Sequence, residues 1–159
     1  MNEIKISKTN PNSIIVKFVE EAIANSNNKN KDENKKNPWL NFGDIPQNAI
    51  DYVKKNFNIN LTGYKYVLEA SSILHALSRH GEESHDFYPI NVADFCFIPL
   101  IISDFDDIKL GSVKNNNLKS LLFKKRIGGQ LFYTTVTEVR TGKKSLAFNT
   151  LYKRKTRKR

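Results

Sequence analysis

A single cysteine, Cys96, is present, so the chain can close no internal disulfide. Its neighbours are Phe95 and Phe97, which points to a buried structural thiol and not a reactive one. Long apolar runs are missing as well: the longest, Phe95 to Ile102, is interrupted by Pro99 and is too short to cross a bilayer. The opening residues MNEIKISKTNPN lack the apolar stretch of a secretory signal. These absences lead to the expectation of a cytoplasmic protein, of the host or of a target cell, with no membrane partner. Metal-binding spacings are also absent. His75, His80 and His85 are spaced by five, which does not align ligands on one helix face, and there is no cysteine pair or HExxH. No GxSxG occurs, and Gly128-Gly129 lacks the lysine and following helix of a phosphate-binding loop. The expectation is therefore no metal and no cofactor.

Acidic residues are scarce relative to basic ones, 16 against 26, giving a formal charge of +10. In a chain this short, that excess implies an anionic partner: nucleic acid first, a membrane surface second, with solubility alone as the ordinary explanation. Part of it lies in Lys153–Arg159 (KRKTRKR), where only Thr156 is not basic. Such a tail, assigned to 154–159, attracts polyanions with little sequence preference. The apolar fraction of 39% and charged fraction of 26% over 159 residues fit one soluble domain.

Residues 13–24 carry apolar side chains at helical spacing, with Ser13 available as an N-cap, although IIVKF could also form a strand. Residues 25–37 (NSNNKNKDENKKN) have no apolar side chain and read as an Asn/Lys-rich linker. The N-terminal helix (1–24) is then an appendage, and the main domain runs over 38–153. Within it, 44–57 predicts a helix capped by Asp44 with Pro46 in its first turn, and 66–80 predicts another stopped by Gly81. Asn91–Asp94 resembles a capped helix start whose body, Phe95–Ile102, Pro99 should bend or divide. Strands are predicted at 106–110, 118–127, 130–140 and 144–152, with tight two-residue hairpins at Gly128-Gly129 and Thr141-Gly142 and a bulge near Thr134-Thr135. The expected class is α+β, with N-terminal helices packed on a four-stranded antiparallel β-sheet meander.

The most informative segment is Ser71–Gly81, SSILHALSRHG. At about 100° per residue, His75 and Arg79 share a helix face, and His80 lies about 140° from His75. His80 and Arg79 stand at the predicted helix C-terminus, where the helix dipole favours a cationic side chain. An imidazole there suits general acid–base chemistry, although a histidine among Leu74, Ala76 and Leu77 also serves commonly as a packing residue. The strands interleave basic and aromatic or hydroxyl side chains: Lys124, Lys125 and Arg126 on one, Tyr133 and Arg140 on the next, Thr150, Tyr152 and Lys153 on the last. Such a sheet suits RNA, with cations holding phosphates and rings stacking on unpaired bases; an ordinary solvated sheet is the alternative.

The run DIPQNAIDYVKKNFNINLTGYKYVLEASSILHALSRHG resembles the opening of the phage-associated branch of the Barnase–EndoU–colicin–RelE nuclease superfamily. YPINVADFCFIPLIISDFDDIKLG and LAFNTLYK resemble its later parts, so that the likeness spans roughly 38–154. The resemblance implies helices on a four-stranded antiparallel sheet and an RNA-cleaving activity. Its polar positions fall on His75, Arg79, His80, Thr150 and Tyr152. The combined expectation is a metal-independent, toxin-type endoribonuclease that attacks phosphate with the adjacent 2′-hydroxyl. Lys124, Lys125, Arg126 and Lys153 would bind RNA (tRNA, mRNA or rRNA), and an acidic immunity or antitoxin protein would restrain the enzyme. The alternatives are a non-catalytic nucleic-acid-binding module and a protein-interaction module for an acidic partner.

Overall fold

The computed structural model describes residues 12–26, 37–111 and 118–155. The alternation of apolar and polar residues after Asp106 resolves into four antiparallel strands: β3 (Asp107–Leu110), β4 (Lys119–Ile127), β5 (Leu131–Arg140) and β6 (Ser145–Lys155). Gly128 and Gly129 both adopt positive φ, 67° and 90°, in the β4–β5 turn, but Ile127 pairs with Leu131, so Gln130 joins the loop and the expected two-residue hairpin is lengthened by one. The bulge lies two residues beyond its expected place. Pairing shifts between Val136 and Thr137, opposite Asn149.

The meander is not the whole sheet. Two further strands, β1 (Trp39–Asp44) and β2 (Lys65–Glu69), extend it to six in the order β1-β2-β6-β5-β4-β3. β1 pairs antiparallel with β2, but β2 runs parallel to β6, so the sheet is mixed and the expected four-stranded antiparallel sheet is corrected. The segment 66–80 accordingly splits. Residues up to Glu69 form β2, and only Ala70–His80 is helical, as α3. Likewise Asp44 ends β1 and caps no helix; Pro46 precedes α2 (Gln47–Phe57).

Helix α1 (Asn12–Ser26) is not an appendage. Ile15, Val19 and Ala22 are buried in the same apolar cluster as Ile73 and Ala76 of α3 and Phe95. The 25–37 linker falls almost wholly outside the described residues, and so do residues 156–159 of the expected tail. The first two tail residues, Arg154 and Lys155, belong to β6.

The predicted break in 91–102 is present. Asn91 forms a capping box with Asp94 at the head of a 3₁₀ turn, Val92–Phe97, and Pro99 occupies the first turn of α4 (Ile98–Ser103). Here Cys96 is half-buried, and burial, with Asp94 nearby, keeps its thiol above the ordinary value.

Strand register separates the sheet into two faces. Phe123, Thr135 and Leu151 lie in one row, and Lys125, Tyr133 and Lys153 in the next row on that side. Phe123, Tyr133 and Leu151 belong to the core beneath the helices. The intervening rows, Lys124–Thr134–Tyr152 and Arg126–Phe132–Arg154, lie on the opposite, open face.

Three phenols are held above their ordinary value of 10.0. Burial raises Tyr66. Burial and then the Asp94 hydrogen bond raise Tyr133. For Tyr52 the Asp107 hydrogen bond is the main cause. A group with a raised folded value contributes stability that is present below its unfolded value and is lost as pH rises through the folded one. An ultraviolet titration of phenolate should therefore find these three ionising late, together with loss of structure. Ionisation of all three near their ordinary value in a folded protein would contradict it.

Candidate active site

α3 leaves β2 without a loop and packs against β6, which carries its last residue to the far half of that strand. The helix buries Ala70, Ile73 and Ala76. Five residues from His75 to His80 rotate about 140°, which places the two histidines on different sides. His75 and Arg79 are exposed, whereas the His80 side chain is 19% exposed. Gly81 ends the helix in extended backbone, and its amide donates to Leu77 O at 2.8 Å. A Cβ at this position would collide with the Leu77 carbonyl oxygen, so the glycine is required for close approach and not for a left-handed turn.

His80 is held from three directions. Its Nδ1 lies 2.8 Å from Asp86 Oδ2, its carbonyl accepts from the Ile90 amide at 2.8 Å, and its ring centre is 5.2 Å from that of Tyr152. With the proton on Nδ1, the imidazole donates to Asp86 and leaves Nε2 free to accept. The Arg154 guanidinium lies over the Tyr152 ring, 4.9 Å from its centre. Tyr152 and Arg154 in turn line a cleft of about 670 Å³ on the open sheet face, together with Lys124, Arg126, Phe132 and Thr134 and with the carboxylates Asp106 and Asp107. Arg126 lies over Phe132 at 5.3 Å. Cations over rings next to an imidazole form a place where a phosphate can be held and a proton moved.

Of the expected site residues, His80 and Tyr152 meet here, and Lys124 and Arg126 line the same cleft as Tyr152. His75 is not brought to the site. Arg79 neighbours His80 in sequence but points to solvent, and the Thr150 Oγ1 is buried on β6 without a hydrogen-bond partner among the described residues. Lys125 and Lys153 are on the helix-covered side. Lys125 Nζ lies 3.1 Å from Asp104 and 3.8 Å from Asp106. Lys153 donates to the buried Asp94 at 3.0 Å, and Tyr133 OH donates to the same carboxylate at 2.8 Å. Arg140 is bound by Glu69 through both nitrogens, at 3.1 and 3.2 Å, and by Glu138.

Sequence reasoning missed Asp86, Arg154 and Phe132. Asp86 follows His80 by six residues across a turn, and no local periodicity links them. Arg154 falls in sequence at the start of the expected basic tail, although its two-residue offset from Tyr152 is the spacing of neighbours on one strand face. Among the described residues, no group of three or more His, Cys, Asp or Glu is placed to hold a metal ion, and no helix is long and apolar enough to cross a membrane.

An α+β domain with a carboxylate-held imidazole against a tyrosine of a basic, aromatic cleft has the groups of a small nuclease-type domain. The chain matches the family described as phage-Barnase-EndoU-ColicinE5/D-RelE like nuclease3 over residues 43–159, and it belongs to that family. No curated protein and no solved structure matches it.

Proposed function

We propose that this nuclease is a metal-independent, toxin-type endoribonuclease. The observation that carries the reading is the His80 ring, oriented by Asp86 and set against Tyr152, which itself lines the cleft of Lys124, Arg126 and Arg154. In the reaction, His80 Nε2 takes the proton from a ribose 2′-hydroxyl. The 2′-oxygen bonds to the adjacent phosphorus and the bond to the 5′-oxygen breaks; the departing oxygen takes a proton from water, leaving a 2′,3′-cyclic phosphate and a 5′-hydroxyl, and the imidazolium returns its proton to the solvent. Arg154, Arg126 and Lys124 hold the charge that develops on the phosphoryl oxygens, and Tyr152 and Phe132 flank the strand. Lys125 and Lys153, each anchored to carboxylates, support the strands that carry these groups. A cell that makes such an enzyme needs an inhibitor, and an acidic immunity or antitoxin protein suits the same cleft.

The nucleophile belongs to the RNA, so no metal is needed to generate it. Purified protein incubated with RNA in EDTA should cleave it as fast as in untreated buffer. Activity that disappears on chelation and returns with magnesium or zinc would defeat the mechanism. Binding of RNA without any cleavage would favour a non-catalytic module.

A further inference from the structure

We infer that the loop between α3 and the 3₁₀ turn forms a base-stacking subsite, which captures an unpaired nucleotide adjoining the phosphate held at the His80 site. The identity of that phosphate as the scissile one rests on the ribonuclease reading; the stacking itself does not. Phe87 is 97% exposed, and every other exposed large apolar side chain among the described residues is at 47% or less. It is not isolated, because the Tyr88 ring, itself 37% exposed, is centred 6.4 Å away. Two bonds to His80 tether this segment on either side of the pair, from Asp86 to its ring and from Ile90 to its carbonyl. The rings are thus presented beside the imidazole and not on a remote surface.

Between this loop and the end of β6 lies a second cleft of about 410 Å³, where Phe87 and Tyr88 face Arg154 and Lys155. The volume falls within the range of small-ligand pockets and accommodates a base. Arg154 and Lys155 also line the sheet-face cleft. A phosphate on this basic ridge would have one neighbouring nucleotide towards Phe132 and the other towards Phe87. Two clefts sharing one cationic edge match a strand that crosses the edge with a base on each side. The charge selects a polyanion, and exposed ring faces select bases whose own faces are free. A duplex keeps those faces stacked inside, so the occupant is single-stranded: a loop, bulge or end.

The test uses the full chain and a single-stranded 2′-O-methyl oligoribonucleotide carrying 2-aminopurine, which cannot be cut by attack of its own 2′-oxygen. Binding to wild-type protein should quench the fluorophore. Phe87→Ala should abolish the quench and raise Kd by roughly 5- to 150-fold, the usual effect of removing one base-stacking ring. Phe87→Trp should retain both, and affinity for the same sequence as a duplex should not depend on residue 87. Phe87→Ala protein that binds and quenches like wild type would overturn the subsite and return the ring to the surface met by a protein partner. The probe reports binding alone, so a failure to cut natural RNA would count against the ribonuclease reading and leave this result intact.

Discussion

His80→Ala is expected to lower RNA turnover by roughly 10²–10⁴-fold, the usual loss on removing a general acid or base. The geometry supports an effect of this kind because the imidazole is oriented. Asp86 engages Nδ1 at 2.8 Å and Tyr152 bounds one side of the ring. Nε2 is the nitrogen left to move a proton. His75→Ala makes the control. His75 is exposed on another side of α3, so its removal should leave turnover at the wild-type level and change stability by no more than about 0.5 kcal/mol, as for ordinary surface positions. Single-turnover cleavage rates and melting temperatures for the two variants decide the matter. A folded His80→Ala protein with full activity would remove His80 from the chemistry. A large loss in His75→Ala with unchanged melting would mean that the wrong histidine has been assigned.

The second large effect should be on stability. Asp94 is buried, and three donors converge on its carboxylate: Tyr133 OH at 2.8 Å, Lys153 Nζ at 3.0 Å and the Asn91 amide at 2.9 Å. The side chain of Lys153 is 14% exposed and that of Asp94 6%. Asp94→Ala would leave a mostly buried ammonium without its counter-charge and would undo the capping box of the 3₁₀ turn. Breaking such a pair by removing one member costs about 3–5 kcal/mol. Replacing Lys153 by methionine in the same chain should restore part of this, because the uncompensated charge goes with it. Denaturant unfolding of the single and double variants measures both terms. A loss below about 1 kcal/mol for Asp94→Ala, the scale of an exposed pair, would show that this carboxylate does not fasten the helical layer to β5 and β6.

Much of this was legible where the signal is local. The Gly128-Gly129 turn, the Asn91–Asp94 cap, the division at Pro99 and the end of α3 at Gly81 each depend on residues adjacent in sequence. β1 and β2 were not legible for the opposite reason. Tyr66, Val67 and Leu68 run into Ala70 without a breaker, and what makes them a strand is parallel pairing with Tyr66 opposite Leu146 and Val67 opposite Ala147, far along the chain. The site shows the same division. His80 and Tyr152 could be picked by residue type and position. Which of three consecutive basic residues, Lys124, Lys125 and Arg126, would face the open side depends on strand parity, and a shift of one residue exchanges the answer. Lys125 and Lys153 fell on the covered side and met carboxylates, whereas Arg154 fell on the open side beside Tyr152. The burial of α1 was hidden by the apolar-free stretch that follows it. That stretch says nothing of where the helix docks, and Ile15 and Val19 show that it docks in the core.

In the proposed mechanism the RNA supplies its own nucleophile. The most direct measurement compares one oligonucleotide sequence as all-RNA and with a single 2′-deoxy residue at the mapped cleavage position, incubated with the purified chain. The all-RNA strand should be cut to a 2′,3′-cyclic phosphate and a 5′-hydroxyl end, and the single 2′-deoxy substitution should abolish cutting at that position. Cleavage of the substituted strand at the same bond, or 5′-phosphate ends on the RNA products, would contradict it.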